Sequence, residues 1–366
     1  MTTVATPPTR TASRPATLTA GHLPAWAPWA LLAGSIAVAA VVFTLLNLGG
    51  DPADFNIAMT LVVGLVIYMV LIVSVSSLVE SRRHAIDRLM TALVSTAFVI
   101  ALLPLVSLLF TVVVNGLQRF DPEFFSFSMR NVVGEGGGAV HAIWGTVLIT
   151  LTATIISVPI GLMTSIYLVE YGQGKKLARG ITFLVDVMTG IPSIVAGLFI
   201  YSVFAVIVGP GTRLGIMGSL ALSVLMIPVV VRGSEELLRI VPNELREAAF
   251  ALGVPKWLTI VKVVLPTAIA GITTSIMLAV ARVIGETAPL LITVGMVQGL
   301  NTNLFSGQMA TLPVFAYMQA KYPGQPPEAF TERAWAAALT LILIVMVLNL
   351  LARLIAKIFA PKMTGR

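Results

Sequence analysis

Eight long, nearly uncharged apolar runs restrict what this sequence can fold into more than any motif does. They fall at about 29–48, 59–79, 89–114, 142–169, 180–209, 214–231, 267–297 and 334–352. A helix needs about 20 apolar residues to cross the hydrocarbon layer of a bilayer. The runs are continuous rather than alternating with period two, which argues against a β-barrel. Of the 366 residues, 57% are hydrophobic and 11% are charged, against about 25% charged in an ordinary soluble domain. Mean hydropathy is +0.96. A soluble enzyme, a disordered chain and a nucleic-acid binder are excluded, and an all-α integral membrane protein is predicted. Pro104, Pro159, Pro192 and Pro289 lie inside the runs, where a membrane helix tolerates them as kinks. The sequence has no cysteine, so disulfides, thiol chemistry and cysteine-held metals are absent. His22, His84 and His141 stand far apart in sequence and suggest no metal site.

Lysine and arginine in the loops set the orientation of such a chain. With the N-terminus cytoplasmic, 17 basic residues fall inside, among them Arg82, Arg83, Lys175, Lys176, Arg232, Arg239 and Lys256. Five fall outside (Arg119, Arg130, Arg213, Lys321 and Arg333), and Arg282 lies within a span. Both termini are therefore expected in the cytoplasm. The net charge of +7 is mostly this bias, and no nucleic-acid partner is needed to explain it. Residues 1–28, rich in Thr, Pro and Ala, read as a disordered cytoplasmic tail before an uncleaved first span. The outer loops 115–141 and 298–333 are either docking surfaces or connectors.

The segment 232–266 is the most informative loop. It carries nine charged residues, five basic and four acidic. Two short helices are expected, one over 234–240 and one from about Asn243, as N-cap, to Leu252. Gly253 would end the second, and Pro255 would prevent an easy restart. Within it stand Glu247-Ala248-Ala249, three residues, Gly253, nine residues, then Val263-Val264-Leu265-Pro266. This pattern resembles the EAA loop of bacterial ABC importer permeases. The resemblance implies a coupling helix that docks in a groove of an ATP-binding subunit. Ala248 and Ala249 would permit close approach, Glu247 would supply a polar anchor, and Gly253 a sharp exit. The alternative is an amphipathic helix lying on the membrane, for which the segment is too nearly neutral. No GxxxxGK[ST] phosphate loop occurs anywhere.

The seventh run holds Arg282 near its midpoint and Glu286 four residues on, which on a continuous helix puts them on nearly the same face. An arginine at the bilayer centre costs about 2.5–3.5 kcal/mol on insertion scales. It must face protein, a partner charge or water. Glu286 is the nearest partner, and a guanidinium fork also suits a tetrahedral oxyanion. The two readings are an anion-pathway residue held by a carboxylate and a structural ion pair. Thr273, Thr274 and Ser275 either line that path or bond and pack within the helices. Asp186 is expected to have a structural role.

Ala281-Arg282-Val283-Ile284-Gly285-Glu286-Thr287-Ala288-Pro289-Leu290 resembles the signature of the A-type phosphate permease family of ABC importers. Glu170-Tyr171-Gly172, Gly190-Ile191-Pro192-Ser193-Ile194-Val195-Ala196-Gly197-Leu198 and Leu245-Arg246-Glu247-Ala248-Ala249 match the same family. The resemblance covers about 86–362. It implies a type I importer permease fold of six core transmembrane helices, with residues 29–79 adding two accessory helices. It further implies a bacterial plasma-membrane protein with four kinds of neighbour: a C-type permease, two copies of an ATP-binding subunit, an extracytoplasmic phosphate-binding protein and membrane lipid. The chain itself would bind no cofactor, with ATP and Mg on the ATPase subunits. Arg282, Glu286, Thr274 and Ser275 are the expected substrate-path residues. Glu247, Ala248, Ala249 and Gly253 are the expected coupling residues. Other oxyanions, such as sulfate, molybdate or phosphonate, are the alternative cargo. A secondary transporter is a weaker alternative, because no internal repeat is evident.

Overall fold

Apolar runs in lipid have to satisfy their own backbone, and here they do so as helices. The computed structural model describes residues 22–46 and 56–359. Most of the expected N-terminal tail lies outside the described residues. Fourteen α-helices follow one another, and the described residues contain no strand. In chain order they are α1 Ala27–Leu46, α2 Ile57–Val79, α3 Arg82–Gly116, α4 Pro122–Ser126, α5 Val140–Ile166, α6 Lys176–Thr189 and α7 Ser193–Ile207. Then come α8 Gly215–Ile240, α9 Asn243–Ala251, α10 Lys256–Thr259, α11 Leu265–Ile284, α12 Ala288–Thr293, α13 Leu312–Lys321 and α14 Pro327–Phe359. Seven helical stretches are long and apolar enough to cross a membrane, or eight if α6 and α7 are counted as one broken span. The chain is a multi-pass membrane protein.

Three sequence expectations change. The run 180–209 is not one helix, because α6 and α7 meet at an angle of 108°. Pro192 has no N–H for a helical bond and drives Ile191 out of the helical region. The run 267–297 stops at Ile284, because a continued helix would need an N–H from Pro289 to the Gly285 carbonyl, against which the proline ring also clashes. By contrast, α8 runs unbroken from Gly215 to Ile240, so the separate short helix expected over 234–240 is its last two turns. Pro104, Pro159 and Pro228 sit inside continuous helices.

The chain forms two compact units that part at Leu108–Leu109. In the first, α1 and α2 pair through small residues, with Ser35, Ala39, Thr60 and Ser76 buried. Small side chains let two backbones approach where the hydrophobic effect gives no drive. At the end of α2, Glu80 gathers four hydrogen bonds. Arg88 Nε and Nη2 each donate at 2.8 Å, Ser76 Oγ at 2.7 Å and the Leu23 N–H at 2.8 Å.

The second unit is built on α5 and α8. Ser219 and Ser223 on α8 donate to the carbonyls of Ile149 and Ala153 on α5, at 3.2 and 3.4 Å. Both pairs are 70 residues apart, so the two helices run parallel. α11, α12 and α13 close over them. Ile149, Leu222, Met226, Ala279, Val283, Leu290 and Met309 form one buried cluster.

The Arg88 guanidinium, then the Ser76 hydroxyl, hold the Glu80 carboxyl well below the usual carboxylate range. A carboxylate depressed on folding stabilises fully above its unfolded pKa and loses that effect only as pH falls through its folded one. We predict that Glu80→Gln lowers the thermal midpoint, and that the gap to the native chain is constant from pH 8 to pH 5. A gap that closes by pH 5 would contradict this placement.

A free arginine at a helix break and a glycine-capped short helix

α11 is continuous with α10 through a π-helical stretch, Ile260–Val264, giving 29 helical residues from Lys256 to Ile284. At 1.5 Å per residue, Arg282 lies about 30 Å along the axis from Lys262. It therefore sits in the last turn of the helix. Arg282 is exposed, as are Thr267, Thr274 and Leu278. Their spacings of seven, four and four place them on one stripe of α11. Glu286 is partly exposed and lies two residues beyond the helix end. The expected common face is lost because the helix stops first, and no ion pair joins the two among the described residues. Arg282 thus offers a guanidinium with all its donors available. An apolar helix bears such a group only where water or another protein covers it.

The helix that follows the break after Arg282 touches the helix that follows the other break. A Cβ on Gly197 in α7 would lie 2.7 Å from Cα of Pro289 in α12. The glycine is what lets the two helices that follow the breaks touch. Non-helical backbone at membrane depth persists only where protein buries it or where it lines a watery cavity.

The hydroxyls divide. Thr273 and Thr274 bond to the carbonyls of Ile269 and Ala270, at 2.8 and 2.9 Å, but Thr274 is exposed and Thr273 only partly so. Ser275 is wedged against α8, where a Cβ on Gly233 would come within 1.8 Å of its Oγ. Asp186 pairs with Arg232, which also bonds Glu235 at 2.8 Å. The structural role expected of Asp186 is thereby given a partner.

At the other end of the same spans, α9 carries the Glu-Ala-Ala motif. Glu247 and Ala248 are exposed, and Ala249 alone of this helix is buried. Pro242, not Asn243, occupies the N-cap position, and no side chain caps that end. The C-terminus is closed by backbone. The Gly253 N–H donates to Phe250 O at 2.9 Å, and the Val254 N–H to Ala249 O at 3.1 Å. This paired closure needs a left-handed residue, and Gly253 has φ +76°. Leu245, Phe250, Leu252 and Trp257 are exposed around the motif. They leave apolar surface exposed on α9 and just beyond it.

Sequence reasoning gave no role to Arg246 or Glu170. Arg246 Nε and Nη2 donate to Glu170 Oε1 at 3.0 and 2.9 Å. The same guanidinium bonds Val241 O at 2.6 Å and Leu238 O at 2.9 Å. These partners are 76 residues apart, and no periodic pattern links them. The only signal was that each sits within a family-like motif.

A family profile described as "Binding-protein-dependent transport system inner membrane component" matches residues 157–365. The chain belongs to this family. Similar members include the phosphate transport system permease protein PstA 1 of Mycobacterium tuberculosis (strain CDC 1551 / Oshkosh), 46% identical over 277 residues, covering 75% of this chain and 90% of that protein. The phosphate transport system permease protein PstA of Yersinia pestis is 38% identical over 293 residues, covering 78% of this chain and 96% of that one. Among solved structures, an inward-facing MetNI methionine ABC transporter superposes with TM-score 0.50 at 21% identity, covering 61% of this chain and 96% of that one. An ABC transporter that imports alginate gives 0.50 at 12% identity, covering 76% and 97%. These two likenesses establish the type I importer permease fold. The match to the binding-protein-dependent permeases takes in both helix breaks, Arg282 and α9.

The Ser275–Gly233 contact yields a prediction that separates packing from passage. Overpacking a well-filled contact costs about 1–3 kcal/mol. Gly233→Ala is expected to lower the melting temperature, and adding Ser275→Ala should recover part of the loss, since the Cβ of residue 275 still lies 2.9 Å from the new methyl group. If Ser275→Ala gives no recovery, the hydroxyl is not held by this contact.

Proposed function

We propose that this chain is a transmembrane subunit of an ATP-driven importer of inorganic phosphate. Supporting this cargo is the chain's similarity to permeases named for phosphate transport. The single observation that carries the mechanism is the unpaired, exposed Arg282 in the last turn before the break between α11 and α12. A guanidinium in a low-dielectric path lowers the barrier for an anion, because charges interact strongly there. Its planar fork matches two oxygens of a tetrahedral oxyanion. Thr274 and Glu286 flank it along the path. Binding is weak at this point, since a tight site would not release its cargo.

The chain sits in the bacterial plasma membrane with both termini in the cytoplasm, as its loop charges favour. It pairs with a C-type permease to enclose the path. A phosphate-binding protein docks outside on residues 115–141 and 298–333. Two ATP-binding subunits, which hold ATP and Mg, receive α9 in a groove through Glu247, Ala248 and the apolar residues around them. Closure of the ATPase pair opens the path outward, phosphate passes Arg282, and hydrolysis returns the path inward. Residues 29–79 are accessory to this core.

Arg282→Gln is expected to abolish labelled-phosphate uptake while the complex still purifies intact. Unimpaired uptake would remove Arg282 from the path, and uptake that sulfate competes away would change the cargo. Glu247→Arg is expected to release the ATPase subunits during purification. Gly253→Val places a branched side chain at positive φ, at a cost of about 1–2 kcal/mol, and should weaken the same retention.

A further inference from the structure

We infer that Arg246 and Glu170 form the mechanical link through which α9 moves span α5. The inference rests on reading α9 as the coupling helix. It concerns what happens behind the docked face, not the docking itself.

α9 is poorly attached to the rest of the fold. It is nine residues long, and one of them, Ala249, is buried. Its entry is Pro242 and its exit is Gly253, so neither end continues into a neighbouring helix. A helix with a break at each end and one buried side chain cannot push its neighbours by packing alone. Force applied to its exposed face has to pass through something stiffer.

Arg246 supplies that connection. Its side chain is 12% exposed and that of Glu170 is 6% exposed, so water screens the pair little. Both donors on one edge of the guanidinium reach one carboxylate oxygen, at 3.0 and 2.9 Å. The other donors bind Val241 O and Leu238 O at the end of α8, carbonyls that a helix end leaves without partners. Rotation of the side chain would break several of these bonds together.

The receiving element is also unusual. Glu170 lies in a π-helical stretch, Tyr167–Tyr171, that closes α5. Lys256, at the head of α10, bonds the Glu170 carbonyl and stands 5.0 Å over the Tyr171 ring. Four segments therefore meet at the Arg246–Glu170 pair: the end of α5, the end of α8, α9 and the start of the helix that carries Arg282. Single π-helical turns inside α-helices often mark functional sites. Here the turn places a buried carboxylate under the coupling helix. Because Arg246 grips the end of α5 through Glu170 and the end of α8 through Leu238 O and Val241 O, a displacement of α9 enters both at once.

The test uses the whole importer in proteoliposomes and reads phosphate moved per ATP hydrolysed. Arg246→Gln and Glu170→Gln are expected to retain the ATPase subunits and to hydrolyse ATP within about twofold of the native rate. Transport per ATP should fall at least tenfold, and the double variant should be no worse than either single one. An unchanged ratio in both single variants overturns the link. Release of the ATPase by Glu247→Arg tests the underlying reading separately, because that residue lies on the docked face. The chain has no cysteine, which allows a control free of folding effects. A Glu170→Cys, Arg246→Cys chain should be uncoupled as made and regain coupling when a bifunctional thiol reagent joins the two positions. Confirmed cross-linking without recovery also overturns the link.

Discussion

In a bilayer, a backbone N–H or C=O has no solvent to fall back on, and this one constraint orders the whole molecule. It makes every span a helix. It also makes each interruption of a span a costly feature that something must compensate. Two spans are interrupted, between α6 and α7 and between α11 and α12, and the helices that follow the breaks touch at Gly197 and Pro289. The free arginine stands at one of the breaks. At the far end, the carbonyls that the end of α8 leaves without helical partners are met by Arg246.

Arg282 and α9 thus stand near opposite ends of one continuous helical segment. Lys256 begins it beside Glu170, and Arg282 nearly ends it. No hinge interrupts the segment between the two except the π-helical stretch at its foot. An arrangement of this kind can carry a displacement over the thickness of a membrane without any chain of side-chain switches. Its weak points are the joints, at Pro242, Gly253 and Gly285, rather than the shaft.

Much of this could be read from the sequence, and the misses have physical reasons. Hydropathy located the spans because apolar length is what a bilayer demands. It could not tell a proline that kinks from one that breaks. Pro159 and Pro228 are carried inside helices, whereas Pro192 and Pro289 mark true interruptions. That difference depends on what packs around the freed carbonyl. The missed break before Pro289 cost the expected pairing of Arg282 with Glu286. Gly253 was legible because only a few residue types tolerate its backbone angle. Arg246 was not, because its partner lies on another span and hydrogen bonding at such a distance leaves no periodic trace. Ser275 and Thr274 look alike in sequence, yet one is wedged on Gly233 and the other faces outward.

The exposed side chains around α9 have a consequence for the life of the chain outside its complex. Leu252 is 84% exposed and Trp257 61% exposed, on a protein whose remaining apolar surface is suited to lipid. A freshly inserted copy that finds no ATPase presents this greasy knob to the aqueous compartment. Chaperones and membrane proteases recognise such features. With α9 docked as proposed, assembly would take these side chains out of water, and an unassembled copy would be told apart from an assembled one by this apolar surface alone.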